Sequence, residues 1–329
     1  MTSSTVLPLP PDLPQEEAPP VDAADEAYRD LLDRLARQSV AKHHDAYADV
    51  PWDDPGYAID LADPRLELSP LDPLGATAWY RALPQPVRAR LGLELIAGFA
   101  KIGAQFENVL QRGLLEFAFA LPNGAPEYRY AMHEVIEEGQ HSLMFQELVN
   151  RTGLEIPGLP GLVKSGSRHV VGLARRFPEL FFLFVLGGED PIDFVQREQL
   201  RTGQFAHPLI RRISQIHVTE EARHLSFARA WLRRRVPRLS PIRRAVLRLR
   251  TPLLFGQMSR LMLQPSRAVI RRYAIPRGVL REAYRDGARA RALRVDALRK
   301  PRELCIELGI AVPPYDRLWR HVGIWGDSA

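Results

Sequence analysis

Two copies of one five-residue pattern, Glu-Glu-x-x-His, are the strongest chemical signal in the sequence. The first copy lies at residues 137–141 and the second at residues 220–224. Residues i and i+3 of a helix lie on the same face, so the second glutamate and the histidine of each copy can bind one metal ion together. Of the nine histidines, only His141 and His224 have a glutamate three residues before them. The repeat therefore predicts a metal centre shared by two helices.

A third histidine lies in phase with the second copy. His217 precedes Glu221 by four residues and His224 by seven. Seven residues are close to two turns of a helix with about 3.6 residues per turn, so the three side chains share one face. We therefore predict that His217 is an additional imidazole ligand.

The remaining ligands should come from two further helices. A Glu-x-x-His from each of two helices plus one glutamate from each of two others is the ligand set of ferritin-like di-iron and di-manganese sites. Glu107 lies in an apolar stretch, where a charge needs a partner or a metal, and Glu116 on the same predicted helix is the second choice. Glu189 follows an apolar run that ends in two glycines, with Asp190 and Glu198 as its competitors.

The ligand types indicate which metal the site would bind. Mixed carboxylate and imidazole donors suit iron or manganese better than calcium or structural zinc. We therefore predict two iron ions, with manganese as the other possibility. Cys305 is the single cysteine, which excludes a disulfide within the chain and makes a thiolate-bound zinc or iron–sulfur site implausible.

Further carboxylates can lie behind the ligands. Glu134 precedes Glu138 by four residues, and Asp193 follows Glu189 by four. A carboxylate that accepts a hydrogen bond from a metal-bound imidazole fixes the orientation of the ring, so we predict this role for both, with an ordinary surface ion pair as the alternative. The first glutamate of each motif, Glu137 or Glu220, is rotated away from the metal face. We predict that it lies behind the ligands or on the surface and does not bind metal itself.

The elements that must position these residues are long helices. No segment alternates strictly between apolar and polar residues, so we predict an all-α, ferritin-like four-helix bundle with additional flanking helices. A first helix is predicted at about 24–44, and further helices within 241–299 are expected to break at Pro252, Pro265 and Pro276. The four bundle helices are predicted at about 87–121, 127–152, 178–204 and 208–235. We divide the chain into a disordered Pro-rich tail (1–22), the bundle domain (23–310) and a C-terminal tail (311–329).

Composition and charge narrow the classes of partner. The formal charge is +6, and the arginine-rich stretch 231–250 allows either a nucleic-acid or acidic-membrane surface or a solvated helix face. Only Trp231 in it is aromatic, whereas a nucleic-acid stacking surface would contain several aromatic residues, so we predict no nucleic-acid partner. No apolar run is long enough to span a membrane, and the N-terminus does not resemble a secretory signal. We therefore expect a cytoplasmic protein.

The motifs resemble those of one enzyme family. Residues 30–300 are similar to the AurF-type arylamine N-oxygenases, including the stretch 34–53, and the pattern His-x-x-x-Glu-x-x-His is the most specific part of the likeness. The resemblance implies two irons held by four glutamates and three histidines, O2 as co-substrate and a small, aromatic amine substrate. Carried over to this chain, the implied ligand set is Glu107, Glu138, His141, Glu189, His217, Glu221 and His224.

The resemblance also carries expectations about partners. Nothing in the sequence resembles a flavin or nicotinamide site, so electrons should come from an external reductase or ferredoxin-like donor, for which the basic stretch 231–250 is a candidate docking surface. We expect a homodimer. Several arginines after residue 250 are candidates for binding a substrate carboxylate, such as Arg260, Arg291 and Arg294, and nothing in the sequence distinguishes between them.

Two other functions are compatible with the same motifs. A di-iron hydroxylase or desaturase of a carrier-bound acyl or aminoacyl group would use both Glu-x-x-His pairs, although His217 argues against its plainest form. An iron-storage protein of the ferritin type is the alternative from another class. About 150 residues surround the predicted bundle, at 24–86 and 236–329, and they suit a shaped substrate pocket better than a bare storage bundle.

Overall fold

The computed structural model describes residues 23–203 and 207–326 of the chain. These residues form α-helices joined by turns and short 3-10 or π segments, and they contain no strand, which confirms the all-α bundle prediction. The predicted tail at 1–22 lies outside the described residues. The helices are α1 (Ala23–Ala41), α2 (Ala78–Arg81), α3 (Gln85–Phe119), α4 (Pro126–Arg151), α5 (Gly161–Arg176), α6 (Pro178–Arg201), α7 (Pro208–Arg235), α8 (Pro241–Leu263), α9 (Arg267–Arg272), α10 (Arg277–Arg281), α11 (Ala288–Ala297), α12 (Arg299–Glu307) and α13 (Asp316–His321).

Helices α3, α4, α6 and α7 form the bundle. Helix α3 packs along α4 and α6 along α7, while contacts of α4 with α7 and of α3 with α6 close the arrangement. Proline begins three of the four, at Pro126, Pro178 and Pro208, because the first turn of a helix does not use its N–H groups. Helix α4 is followed by Gly153 with φ of +64°, the left-handed conformation that commonly terminates a helix.

Close packing between α3 and α6 determines where Glu189 lies. A Cβ atom on Gly188 would meet the ring of Phe106 at 2.1 Å, so only glycine allows α6 to approach α3 this closely. The same ring stacks at a tilt on Phe184, with centroids 4.9 Å apart. The close approach brings the next residue, Glu189, into the interior of the bundle, where it is fully buried.

Two helices differ from the sequence prediction. Helix α5 lies at residues 161–176, where we predicted no helix. Its apolar residues Val163, Val170, Val171 and Leu173 lie on one side and pack, partly buried, against the core, so the helical periodicity is present in the sequence. The predicted break at Pro252 is wrong, because α8 continues through it. Pro252 and Phe255 are both buried, and this packing offsets the lost helical hydrogen bond. Breaks do occur near Pro265 and Pro276, where α8 ends and α10 begins.

The segment 311–326 packs onto the body of the protein, although the sequence indicated a tail from residue 311. Trp319 in α13 is fully buried, and its ring meets Phe255 of α8 edge to face with centroids 5.6 Å apart. Arg302 donates a hydrogen bond to the Ile324 carbonyl at 2.9 Å. Helix α13 thus belongs to the same packed unit as α8.

The arginine-rich stretch 231–250 makes contacts inside the chain. Arg233 pairs with Glu307 of α12 at 2.8 Å, and Arg234 pairs with Asp25 of α1 at 3.0 Å. Arg243 donates to the Arg176 carbonyl at 2.8 Å. These arginines connect α7 and α8 to the surrounding helices. Within residues 23–203 and 207–326, no helix combines the length and apolar character needed to cross a membrane.

Candidate metal centre

The seven candidate ligands from the sequence meet in the interior of the bundle. Helix α3 contributes one, α4 two, α6 one and α7 three, and every one of them has 0% exposure. Three overlapping groups each have ligand atoms within 4.8 Å of one another. These groups are Glu138, His141, Glu221 and His224; Glu107, His141 and His217; and Glu189, His217 and Glu221.

The two Glu-x-x-His pairs face each other across α4 and α7. His141 Nδ1 lies 3.1 Å from Glu138 Oε2, and His224 Nδ1 lies 3.0 Å from Glu221 Oε1. The other oxygen of Glu138 reaches across to His224 Nδ1 at 3.0 Å. Glu138 therefore has one oxygen beside each histidine, which is the arrangement a carboxylate needs to bridge two metal ions.

His217 extends the cluster toward α3 and α6. Its Nε2 lies 3.5 Å from Glu107 Oε1 and 3.8 Å from Glu221 Oε1. Its Nδ1 lies 2.8 Å from the side-chain oxygen of Gln196 on α6. When Nδ1–H donates to Gln196, the lone pair of Nε2 points toward the carboxylates, as a metal ligand requires.

Several carboxylate oxygens in the cluster have no hydrogen-bond partner in the described part of the chain. They are Oε2 of Glu107, both oxygens of Glu189 and Oε2 of Glu221. A buried carboxylate without a partner is costly, and buried charges are ordinarily paired or bound to metals. These atoms therefore fit a group that accepts several oxygen ligands at once, and metal cations are such a group.

The electrostatics of the cluster also favour bound metal cations. Burial raises the pKa of Glu107 well above its usual range, and the negative charges of Glu138, Glu189 and Glu221 raise it further. Burial and neighbouring carboxylates also raise the pKa of Glu189. Because like charges disfavour ionisation, four facing glutamates require compensating positive charge. Two divalent cations would supply four positive charges.

The first glutamate of each motif lies behind the histidine of the other motif. Glu220 Oε2 lies 2.9 Å from His141 Nε2, and Glu137 Oε2 lies 2.7 Å from His224 Nε2. Each imidazole therefore has Nδ1 toward the cluster and Nε2 toward an outer carboxylate. Such a carboxylate fixes the ring orientation of a metal-bound histidine. A position behind the ligands was one of the two alternatives for these glutamates, but the crosswise choice of partner was not predicted, although the doubled glutamate in both motifs was a signal for it.

The outer carboxylates have further partners of their own. Arg223 donates to Glu137 Oε1 at 2.7 Å, and the backbone N–H of His44 donates to Glu220 Oε1 at 3.0 Å. Burial alone would raise the pKa of Glu137, but its bonds to His224 and Arg223 lower it to about 2. Burial alone would lower the pKa of His141, but hydrogen bonds to Glu138 and Glu220 raise it to about 10. The negative charge that stabilises imidazolium would also stabilise a metal cation.

Asp193 and Glu134, the two residues predicted to orient the ligand histidines, do not hydrogen-bond them. Asp193 binds Arg197 at 2.7 Å, and Glu134 is fully buried with neither oxygen bonded to a described residue. Neither hydrogen-bonds a candidate ligand imidazole. A spacing of four residues moves a side chain one turn along the helix, whereas the residue directly before Glu138 is rotated toward α7. That rotation brings Glu137 to the histidine of the neighbouring helix.

The three carboxylates considered as alternatives to Glu107 and Glu189 lie outside the cluster. Glu116 is exposed on α3, Asp190 pairs with Arg229, and Glu198 pairs with Arg201 at 2.8 Å. None of these three belongs to the groups of converging ligand atoms in the described residues.

A cavity of about 180 Å³ adjoins the cluster, with walls mainly of apolar residues from α3, α6, α7 and α8. Phe145 and Gln196 belong to its wall, and the Phe145 ring centroid lies 5.1 Å from that of His217. Gln196 also hydrogen-bonds His217, so two residues of the cavity wall lie directly against the His217 ring. An apolar pocket with few polar groups is the usual form of a small-molecule site.

Comparisons with known proteins agree with this geometry. The family described as p-aminobenzoate N-oxygenase AurF matches residues 25–309. The uncharacterized proteins Rv0885 of Mycobacterium tuberculosis and Mb0909 of Mycobacterium bovis are each 39% identical over 301 residues, covering 91% of this chain and 88% of the relative. No solved structure matches the chain significantly. The family match covers most of the chain, including all seven converging side chains, and the chain therefore belongs to the p-aminobenzoate N-oxygenase AurF family.

Proposed function

We propose that this protein is a di-iron, O2-dependent oxygenase that N-oxygenates an aryl amine or a similar small amine. The observation that carries the proposal is the buried convergence of four glutamates and three histidines with unpartnered carboxylate oxygens, beside an apolar cavity. Membership of the family supports the same reaction class.

The chain's own residues would have distinct tasks. Glu138 and Glu221 lie between the two motif histidines and are the candidates for contacting both ions, while Glu107, Glu189 and His217 complete the set. Iron is the expected metal, with manganese as the alternative for these ligand types. When bound in its reduced form, iron supplies electrons to O2 for oxidation of the amine nitrogen.

The surroundings of the cluster support this chemistry. The ligands are fully buried, so bulk water is excluded and electrostatic interactions inside the site are strengthened. Glu137 and Glu220 hold the two motif histidines in orientation. The apolar cavity on the His217 side of the centre would hold the ring of the substrate.

Metal loading and turnover test the proposal. Protein loaded with ferrous iron without oxygen should hold about two irons per chain, and with an electron donor, O2 and an aryl amine it should give products with the mass of a hydroxylamine or nitro compound. Glu138→Ala and Glu221→Ala should lose iron and activity. Glu116→Ala, an exposed carboxylate on α3, is the matched control. A reproducible value near one iron per chain contradicts the proposal.

The same assay separates the alternative functions. Carbon-hydroxylated or desaturated products would favour a hydroxylase or desaturase. The external reductase or ferredoxin-like donor is tested by comparing turnover with different electron donors. We propose a homodimer, so measurement of mass in solution should give twice the chain mass of 37.3 kDa, whereas a large cage would favour iron storage.

A further inference from the structure

The charged residues that line the cavity beside the metal centre bear on its substrate. Among the described residues that line it, none is lysine or arginine. Residues 1–22, 204–206 and 327–329 contain neither type. The charged residues on the wall are two acids, Asp72 and Glu94.

The arginines nearest to Glu94 are occupied. Glu94 is 1% exposed, and Arg272 binds its Oε2 at 2.7 Å while Arg90 lies 3.4 Å from its Oε1. Tyr273 donates to the same carboxylate at 2.8 Å. Both arginines are thus paired with a carboxylate of the protein itself, and neither lines the cavity.

The Asp72 carboxyl has no cationic partner among the described residues. Its carboxylate accepts hydrogen bonds from the backbone N–H groups of Leu74 and Gly75 at 2.8 and 2.9 Å, and no described lysine or arginine pairs with it. Burial raises the pKa of this carboxyl above its usual value, as is normal where a negative charge is unfavourable. A second negative charge in the cavity would be less favourable still.

The arginines that the sequence offered for a substrate carboxylate lie elsewhere. Arg260, Arg291 and Arg294 do not line the cavity. The guanidinium of Arg294 donates to the carbonyl oxygens of Tyr284 and Arg285 at 2.6 and 2.9 Å. Arg294 therefore stabilises the backbone of the short π-helical segment Glu282–Asp286.

We propose that the substrate of this site is an uncharged, single-ring aromatic amine that carries no carboxylate. The proposal rests on the proposed function and names its substrate class. A benzoate in this cavity would place an anion against a wall whose described residues include no lysine or arginine, and burying an unpaired charge is strongly unfavourable. The cavity volume of about 180 Å³ suits one ring, since an apolar cavity of about 150 Å³ accommodates benzene.

A pair of ligands with the same shape and different charge tests the proposal. Iron-loaded, oxygen-free protein is titrated with 4-aminobenzamide and with 4-aminobenzoate in a calorimeter. We expect the amide to bind at least about tenfold more tightly, a difference of about 1.4 kcal/mol. Equal binding, or tighter binding of 4-aminobenzoate, would overturn the proposal.

Two variants connect that difference to the cavity. A Cβ on Gly98, which lines the cavity, meets nothing within 4 Å, so Gly98→Leu should fill the space and weaken amide binding at least about tenfold without loss of iron. Gly166→Leu is the control, since Gly166 on α5 is equally open and lies outside the cavity wall. Amide binding that survives Gly98→Leu would place the ligand elsewhere and overturn the proposal.

The charge on the wall is tested separately. Asp72→Asn keeps an oxygen that can accept the two backbone hydrogen bonds and removes the negative charge. We expect it to strengthen 4-aminobenzoate binding several-fold and to leave 4-aminobenzamide within about twofold. An unchanged ratio of the two affinities would contradict the role assigned to Asp72.

The failure of this proposal can be distinguished from the failure of the proposed function. If iron binds and O2 is consumed while the ligand preference is reversed, only the substrate class is wrong. If iron does not bind, the proposed function is wrong.

Discussion

The imidazole Nε2 of His141 lies 2.9 Å from Glu220 Oε2, so the first glutamate of the α7 motif holds the histidine of the α4 motif. The reverse contact, His224 Nε2 to Glu137 Oε2, measures 2.7 Å. The two motifs are thus joined crosswise, and a change to either outer carboxylate affects the ligand on the opposite helix.

Removing an outer carboxylate should therefore weaken iron binding without removing a ligand. We expect Glu220→Ala to lower iron affinity by about 10–100-fold, the usual effect of losing a carboxylate behind a metal-bound histidine. At saturating iron, about two ions per chain should remain. Competition with a chelator measures the affinity. Glu147→Ala is the control, because Glu147 on α4 pairs with Arg151 outside the cluster. Equal affinities for Glu220→Ala and the control would exclude a role for the crosswise pair.

Neutralising a carboxylate within the cluster should have opposite effects with and without metal. Neither oxygen of Glu189 has a hydrogen-bond partner among the described residues, and burial and neighbouring glutamates raise its pKa. We expect Glu189→Gln to stabilise the metal-free protein by roughly 1 kcal/mol, because a carboxyl with a raised pKa must be either protonated or left charged among like charges in the folded state, and glutamine avoids both costs. The variant should bind iron less tightly. Thermal unfolding with and without iron measures both effects, and destabilisation of the metal-free protein would contradict the argument.

His217 can be tested against a histidine outside the cluster. His217→Ala removes a nitrogen whose Nε2 faces Glu107 at 3.5 Å, and alanine is a good helix former, so helical circular dichroism should be preserved. We expect iron affinity to fall by at least about tenfold. His207→Ala is the control, since His207 is buried and contacts the Ala58 carbonyl. It should lower stability and leave iron affinity unchanged. Similar iron binding in both variants would show that His217 is only a core residue.

The stability of the protein should fall at alkaline pH through Tyr80. Its hydroxyl donates to the Arg88 carbonyl at 3.0 Å and accepts from the Leu68 N–H at 2.8 Å. Burial raises the pKa of Tyr80 from 10.0 to about 12. Because the folded-state pKa is the higher one, the stabilisation is complete below pH 10 and is lost as the pH rises toward about 12.

Tyr80→Phe isolates this contribution. At pH 8 the variant should be less stable by about 1–2 kcal/mol, since a buried hydrogen bond is lost. Between pH 10 and about 12 the difference should narrow, because phenylalanine does not ionise. Urea unfolding across this range measures both proteins. A difference that stays constant would mean that Tyr80 does not control the alkaline limit.

The amino-acid sequence determined the parts of the site that depend on one helix at a time. The spacing within residues 137–141 and 217–224 dictates which side chains share a helix face, and prolines mark where the bundle helices begin. Those rules selected the candidate ligands on α4 and α7, whereas Glu107 and Glu189 were chosen because a charge in an apolar stretch needs a partner; the structure brings all seven together. The same rules were sufficient to predict an all-α bundle, which the structure confirms.

Only the tertiary structure decided what happens between helices. The crosswise contacts of Glu137 and Glu220 depend on how α4 and α7 are rotated about their axes, and no local spacing determines that rotation. The continuation of α8 through Pro252 depends on burial against other helices. The set of residues that line the cavity, which includes no described lysine or arginine, depends on how several helices pack around it. Each of these features arises from residues far apart in the chain, so the packing of the whole domain was needed to define them.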